Sequence, residues 1–362
     1  MFKAGYADIL EQLAYIDPKR YAASRNYIDG DVTYLSPYIS RGVISTKIVY
    51  EYLKKEGYNL RKIEKFIQEL AWRDYWQHIW VEKLEDINSD LKHAQPQVEN
   101  NEIPESIIEG NTGINAVDIA IKELYSTGYM HNHLRMYLAS IACNQAKSHW
   151  YNPSKWMYYH LLDGDWASNA LSWQWVAGSN SNKQYVANQK NINQYTKTEQ
   201  FNSFLDVEYD ELPLKEIPLQ LKATTIFDWQ TNLPSKKPVH INPALPVIIY
   251  NSYNLDPIWR ADESANRILL LEPSHFLKYP VSKKVLSFID ELSKNIPNIQ
   301  IFVGEFDELK AKTSSIIFFK EHPTARHYVG IQDERDWMFS VKGYYSSFFS
   351  FWKKCKKEIP FE

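Results

Sequence analysis

The hydrophobic period of this chain changes once, near residue 200, and that change limits the folds open to it. Before it, apolar residues recur at three- and four-residue spacings in "VISTKIVYEYLKK", "LRKIEKFIQELAWRDYWQHIWVEKL", "AVDIAIKELYS" and "HLRMYLASIACNQAKSHW". That is the pattern of amphipathic helices. Beyond it lie short continuous apolar runs, "LPVIIY", "RILLLE", "IQIFVG" and "SSIIFF", with the helical pattern "VSKKVLSFIDELSK" between the second and third. Strands alternating with helices predict a small parallel α/β layer. Between the two regimes, Pro213, Pro218, Pro234, Pro238, Pro243 and Pro246 stand among charges and predict an extended connection. The expected organisation is a helical domain over 1–200, a linker over 201–244 and a small α/β domain with an aromatic C-terminal segment over 245–362. The fold class is mainly α, and no internal repeat, GxGxxG or P-loop is present.

At 362 residues the chain is long enough for two domains with large cores. Its 12 Trp, 25 Tyr and 16 Phe serve equally a well-packed core, a flat ligand, nucleobases or an electron-transfer chain. The formal charge of -3 argues against a uniformly cationic coat and leaves a local basic groove open, for which Arg41, Lys183 and Lys190 are candidates. Two cysteines, Cys143 and Cys355, suit a reducing compartment and are too few for an iron–sulfur cluster. The start "MFKAGYADIL" lacks a signal-peptide run and no segment approaches a membrane span, so a cytoplasmic chain is expected.

Four stretches of the helical part concentrate polar chemistry. In "YAASRNYIDGDVTYLSPYISRG", Thr33 and Ser36 precede a helix, as a phosphate site or an N-cap with Pro37 in the first turn. In "ELAWRDYW", Glu69 and Arg73 stand one turn apart beside Trp72, as a surface ion pair or as pocket groups. In "STGYMHNHLRMYLAS", His131, Asn132, His133 and Arg135 cluster in an otherwise apolar segment. The alternation of His131 and His133 argues against a metal pair, and a bound anion would satisfy the Arg and Asn. In "LLDGDWASNALSWQW", Asp163 and Asp165 are either N-caps or, with Asn169, the edge of a cavity that holds a heterocycle. Trp150, Trp173 and Trp175 supply indoles nearby.

These four stretches, in this order, resemble the flavin-binding domain of the DNA photolyase and cryptochrome family, from about Ala4 to Gln194. Tyr21, Arg25, Val32, Thr33, Leu35, Ser36 and Pro37 resemble the family's Tyr…Arg…Thr-Ser-x-Leu-Ser-Pro loop. Glu69 to Tyr75 is similar to its Glu-Leu-x-Trp-Arg helix, "TGYMHNHLRM" to its Thr-Gly-Trp-Met-His-Asn-Arg-x-Arg-Met, and "LLDGDWASNALSWQW" to its Leu-x-Asp-Gly-Asp…Trp-Gln-Trp.

The resemblance implies a helical FAD-binding domain followed by a small Rossmann-like α/β domain. It implies FAD as cofactor, active when reduced, held by Tyr21, Thr33, Leu35, Ser36, Arg73, Arg135, Asp163, Asp165 and Asn169, with Asn169 facing flavin N5. An amide there accepts from a protonated N5 and leans towards repair. It further implies UV-damaged DNA, single- or double-stranded, as partner. Glu69, Trp72, Asn132, Met136 and Trp175 would meet a flipped-out cyclobutane pyrimidine dimer. The implied chemistry is light-driven electron transfer from reduced flavin to the dimer and back, which needs no metal. Trp173 and Trp150 match the first two members of the family's tryptophan relay.

The chain departs from the family pattern in several places. The third relay tryptophan falls at Ile107, with Trp156 and Tyr158 as substitutes. His133 stands for an Arg, Tyr129 for a Trp and Val32 for a Thr. The flavin motifs begin almost at Met1, whereas typical members start with an α/β antenna domain. A permuted order, with a shortened α/β domain after the flavin motifs, accounts for this, and so does a generic add-on domain. No antenna chromophore follows from the sequence. The segment "FFKEHPTARHYVGIQDERDWMFSVKGYYSSFFSFWKK" reads as an apolar flap on the flavin domain or a nucleic-acid stacking surface. The alternatives to repair are a blue-light receptor without repair activity and a non-catalytic flavin or nucleic-acid binding module.

Overall fold

A computed structural model describes residues 2–360. In chain order the helices are α1 (Tyr6–Leu13), α2 (Pro18–Ser24), α3 (Ser36–Ser40), α4 (Thr46–Lys55), α5 (Glu64–Lys83), α6 (Glu105–Glu109), α7 (Asn115–Thr127), α8 (Asn132–Ser140), α9 (Tyr151–His160), α10 (Trp166–Ala177), α11 (Gln189–Thr196), α12 (Pro273–Lys278), α13 (Lys283–Ser293), α14 (Phe306–Lys310) and α15 (Phe348–Cys355). The strands are β1 (Ile103–Pro104), β2 (Thr224–Thr225), β3 (Val247–Tyr250), β4 (Asn266–Leu271), β5 (Gln300–Val303), β6 (Ile317–Lys320) and β7 (Ile331–Asp333).

Compactness divides the chain differently from the linear split expected at residues 200 and 245. A mixed unit takes Met1–Ile16, Thr33–Glu82 and Gln230–Glu362, and a helical unit takes Asp17–Val32 and Lys83–Trp229. The reason lies in the N-terminal segment, which packs with the α/β layer. Asn295, just past α13, accepts from the Tyr6 backbone N–H at 2.8 Å and donates to the Ala4 carbonyl at 2.7 Å. Arg41 is wholly buried, its guanidinium reaching the Ser252 carbonyl, which removes it from the basic face expected for it. The next residue, Gly42, has φ +63°, and a Cβ there would sit 2.4 Å from the Tyr253 carbonyl oxygen. Only glycine fits that approach.

The sheet of the mixed unit is wholly parallel, in the order β5-β4-β3-β6-β7. Every residue of β3 and β4 is buried, as expected for strands covered on both faces. On one face Val247, Ile249, Ile268, Leu270, Phe302, Ile317 and Phe319 pack with Phe306 and Leu309 of α14. α13 buries Val285, Phe288, Ile289 and Leu292, one stripe at helical spacing. The edge strand β7 is short and mostly exposed, and no apolar run announces it.

The helical unit is built around α10, against which α8 and α9 both pack. α8 runs into a fully buried π-helical turn, Ile141–Gln145, and α10 stops at Gly178 in the left-handed region (φ 87°). The expected linker is not one throughout. Leu205, Leu221 and Phe227 are buried, and β2 pairs antiparallel with β1, so its first part belongs to the helical unit. Among the described residues no helix is long and apolar enough to cross a membrane.

Candidate functional site

In the helical unit the two aspartates of "LLDGDW" separate into the two roles left open for them. Asp165 caps α10, its carboxylate accepting from the Ser168 N–H at 2.9 Å. Asp163 accepts from one Arg135 nitrogen at 3.0 Å to each oxygen, and its side chain is only 3% exposed. Arg135 is fixed a third time through its Nε–H to the Met130 carbonyl at 2.8 Å. A pair so placed breaks at high cost, because either partner alone is a buried charge.

One turn into α10, the Asn169 side-chain amide donates to the Ser154 carbonyl at 2.8 Å. That bond fixes the amide flip. With the donor end used on α9, the carbonyl end is presented as an acceptor. Acceptor Asn169, anionic Asp163 and cationic Arg135 form a donor and acceptor set that fits a polar heterocycle such as a flavin. On α8, Asn132 is exposed and Met136 half-buried, one turn apart and so on one helix face. The preceding His131 caps α8, its Nδ1 accepting from the His133 N–H. Burial, followed by the neighbouring His133 and Arg135, pushes its pKa down to about 4, so it is a neutral cap. Among the described residues no cluster of His, Cys, Asp and Glu is placed to hold a metal ion. Tyr21 is half-buried on α2.

The indoles of this unit differ sharply. Trp150 and Trp173 are buried, whereas Trp175 is 39% exposed. Trp156 and Tyr158, the substitutes expected for the third relay position, are also fully buried, as is Ile107 itself. Sequence reasoning missed Tyr151, whose ring centre lies 5.5 Å from that of Trp150.

In the mixed unit, Thr33 Oγ1 accepts from the Leu35 N–H at 3.3 Å, and Tyr34 between them is left-handed at φ 52°. Leu35 is buried, so its side chain serves the core and only its backbone is placed to meet a ligand. Ser36 opens the five-residue α3. On α5, Glu69 pairs with Lys65 at 2.8 Å, and Arg73 donates to the Ser40 hydroxyl at 2.8 Å. Asp74, beside Arg73, is buried. It accepts from the Thr46 hydroxyl at 2.8 Å and the Met338 N–H at 2.9 Å, yet burial still raises its pKa to about 6.

The C-terminal segment changes the position of Trp72. Phe348 of α15 stacks flat on its indole, ring centres 3.7 Å apart and planes within 9°. The expected apolar wall is therefore covered by the chain's own aromatic tail. α15 also buries Phe351, Trp352 and Cys355, and Lys356 of the basic run "WKKCKK" pairs with Glu64 at 2.7 Å. His78 stacks on Trp337 at 3.9 Å, and burial lowers its pKa to about 4.

Comparison with known proteins places much of this geometry in one region. Residues 66–237 match the family model described as the FAD binding domain of DNA photolyase. That span holds α5 and α8–α10 with Glu69, Arg135, Asp163 and Asn169, and leaves Tyr21, Thr33, Leu35 and Ser36 outside it. The deoxyribodipyrimidine photo-lyase of Thermus thermophilus is 33% identical over 174 residues, 46% of this chain and 40% of the relative. That of Vibrio cholerae is 33% identical over 157 residues, 40% of this chain and 32% of the relative. The chain thus spans less than half the length of the curated relatives it matches. Among solved structures, a Synechocystis cryptochrome is 26% identical with a TM-score of 0.49, covering 54% of this chain and 44% of that one. A class III photolyase from Agrobacterium tumefaciens is 25% identical with a TM-score of 0.47, covering 53% and 42%.

Proposed function

We propose that this chain, which belongs to the DNA photolyase and cryptochrome family through its FAD-binding region at residues 66–237, repairs cyclobutane pyrimidine dimers in DNA in the light. The observation that carries the reading is the Arg135–Asp163 pair together with Asn169, six residues on in the same motif, whose amide donates to Ser154 and leaves its carbonyl as the acceptor. Bound FAD supplies light absorption and, when reduced, the electron that splits the dimer. The residues do the rest. Asn169, its amide N–H used on Ser154, would accept through Oδ1 from an N–H of the bound ring. Asp163 holds Arg135 in place, so that the guanidinium offsets negative charge on the ring without rearranging. Tyr21, Thr33, Ser36 and the Leu35 backbone bind the phosphate and ribityl portion, and Asp165 and Arg73 orient the cofactor. Glu69 hydrogen-bonds the damaged bases, Asn132 and Met136 contact the dimer, and Trp72 and Trp175 wall it. Trp173 and Trp150 would serve as the electron relay towards the cofactor.

The named function of the curated relatives supports this reading. We read the five-stranded layer as a shortened counterpart of the family's α/β domain, carried after the flavin region. Its parallel, doubly wound order supports this. A second reading, a blue-light receptor without repair, draws on one observation, the Phe348 ring stacked over Trp72. The test is blue-light repair of a single-stranded oligonucleotide with one defined thymine dimer by reduced holoprotein, against a dark control. Intact thymines restored only in the light support repair. Flavin that binds and photoreduces without repair supports the receptor.

A further inference from the structure

Asp90 is a carboxylate that none of the four motifs contains. Its Oδ1 accepts the indole N–H of Trp150 at 2.8 Å and lies 3.3 Å from Nε2 of His149. Its Oδ2 accepts the Gln95 N–H at 2.8 Å. Gln95 in turn holds the Trp150 backbone, its Oε1 accepting from the Trp150 N–H at 2.8 Å and its Nε2 donating to the Ser148 carbonyl at 2.8 Å. His149 Nδ1 accepts from the Tyr151 N–H, which assigns the ring proton to Nε2, facing Asp90.

Burial makes this cluster informative. Trp150 is wholly buried, while the side chains of Asp90 and His149 are 23% and 22% exposed. Both line an open cleft of about 460 Å³ with Asn88, Tyr151 and Asn152. A buried indole N–H is thus joined by one carboxylate to solvent. A neutral buried indole needs only a neutral acceptor, and a carboxylate there costs desolvation. The cost is recovered if the indole becomes charged.

We propose that Asp90 is the proton acceptor of Trp150 when that indole is oxidised, an inference that rests on the relay reading of Trp173 and Trp150. In that sequence, Trp173 has given an electron to light-excited oxidised flavin, and Trp150 re-reduces Trp173. The cation radical left on Trp150 is a far stronger N–H acid than the neutral indole. Its N–H bond breaks and the proton forms an O–H bond on Asp90 Oδ1. The products are a neutral indolyl radical and a neutral carboxyl, two opposite charges removed from a partly dry site. Asp90 releases the proton to the cleft. An external thiol returns one electron and one proton to the radical. The same step fixes where the relay ends. The third position is aliphatic Ile107, the Trp156 N–H points to the Tyr125 hydroxyl at 3.2 Å rather than to a carboxylate, and among the described residues the Tyr151 hydroxyl has no hydrogen-bond partner. Among the relay candidates, Trp150 is the indole whose N–H meets a carboxylate; the indoles of Trp259 and Trp352, which donate to Asp333 and Glu64, belong to the mixed unit and are not relay members.

The experiment is flash spectroscopy of holoprotein with oxidised flavin, reading the visible bands that separate tryptophan cation radical from neutral radical. Wild type is compared with Asp90→Asn, Asp90→Glu and Trp150→Phe, with flavin content and circular dichroism as folding controls. Expected is a neutral radical in wild type, formed more slowly in deuterium oxide. In Asp90→Asn, deprotonation should slow on the order of a hundredfold, the lower end of what a positioned base contributes, and Asp90→Glu should recover it. Neutral radical formed in Asp90→Asn at the wild-type rate would overturn the assignment while leaving the relay intact. An unchanged radical yield in Trp150→Phe would instead overturn the relay reading itself, and the inference with it.

Discussion

Two tryptophans with the same expected task, Trp175 in the helical unit and Trp72 in the mixed unit, stand in opposite conditions. Trp175 presents 39% of its surface to solvent from α10, whose Asn169 is tied to α9. Trp72 lies under Phe348, on a helix whose other side chains engage the C-terminal segment: Tyr75 through the Tyr345 carbonyl, Asp74 through Met338 and His78 through Trp337. Motif residues of the helical unit hold one another, whereas those of α5 are held by a segment outside the flavin-binding region. A local motif can therefore be intact in sequence and differ in availability, because availability is decided by chain hundreds of residues away.

Acid is the largest lever on this contrast. His78 and His275 in the mixed unit and His131 in the helical unit all have pKa values lowered to about 4, chiefly by burial. The unfolded chain binds protons at these sites below about 6.5, whereas the folded chain does not until about 4. Their stabilising contribution is present above 6.5 and lost as pH falls through that window, up to about 3 kcal/mol each. Asp74, in the mixed unit alone, works the other way. Its folded pKa of about 6 lies above the unfolded value, so its protonation favours the fold as pH falls from 6 towards 4. Hydrogen exchange at pH 7 and 4.5 should show both units loosening, and Asp74→Asn should widen the loss in the mixed unit only. Equal widening in both units would break the comparison.

Asp163→Ala leaves Arg135 partly buried without its carboxylate. Urea unfolding should show a loss of about 3 kcal/mol, together with loss of flavin from the purified protein. Retained stoichiometric flavin would remove Asp163 from the cofactor site. Phe348→Ala should cost a similar amount, about 3 kcal/mol, the lower end for a buried ring, through the cavity it leaves. Flavin content should stay the same, and iodide quenching of tryptophan fluorescence should rise as Trp72 is uncovered. The smallest stability effect belongs to Glu69→Gln. It weakens a half-exposed pair with Lys65 and should move stability by no more than about 0.5 kcal/mol, while light-driven repair falls measurably.

Much of this was legible in the sequence where the signal is local. The helices α4, α5, α7 and α8, the strands β3–β6 and α13 all follow from hydrophobic period, and the Asp165 cap from its place before an apolar helix. What was not legible depends on distant packing. Residues of one period class sort into two compact units because Asn295 and Ser252 meet the N-terminal segment, which no spacing rule encodes. Arg41 reads as a surface cation until the chain brings it to Ser252. Phe348 on Trp72 and Asp90 on Trp150 join residues 276 and 60 positions apart, respectively, and neither pair has a shared motif to reveal it.

The measurement that tests the central claim most directly is dimer repair by wild type and Phe348→Ala, as reduced holoproteins side by side in blue light and in the dark. The account predicts light-dependent restoration of thymines by both, faster in the variant that uncovers Trp72. Absence of repair from both, with flavin bound and photoreducible, would contradict it.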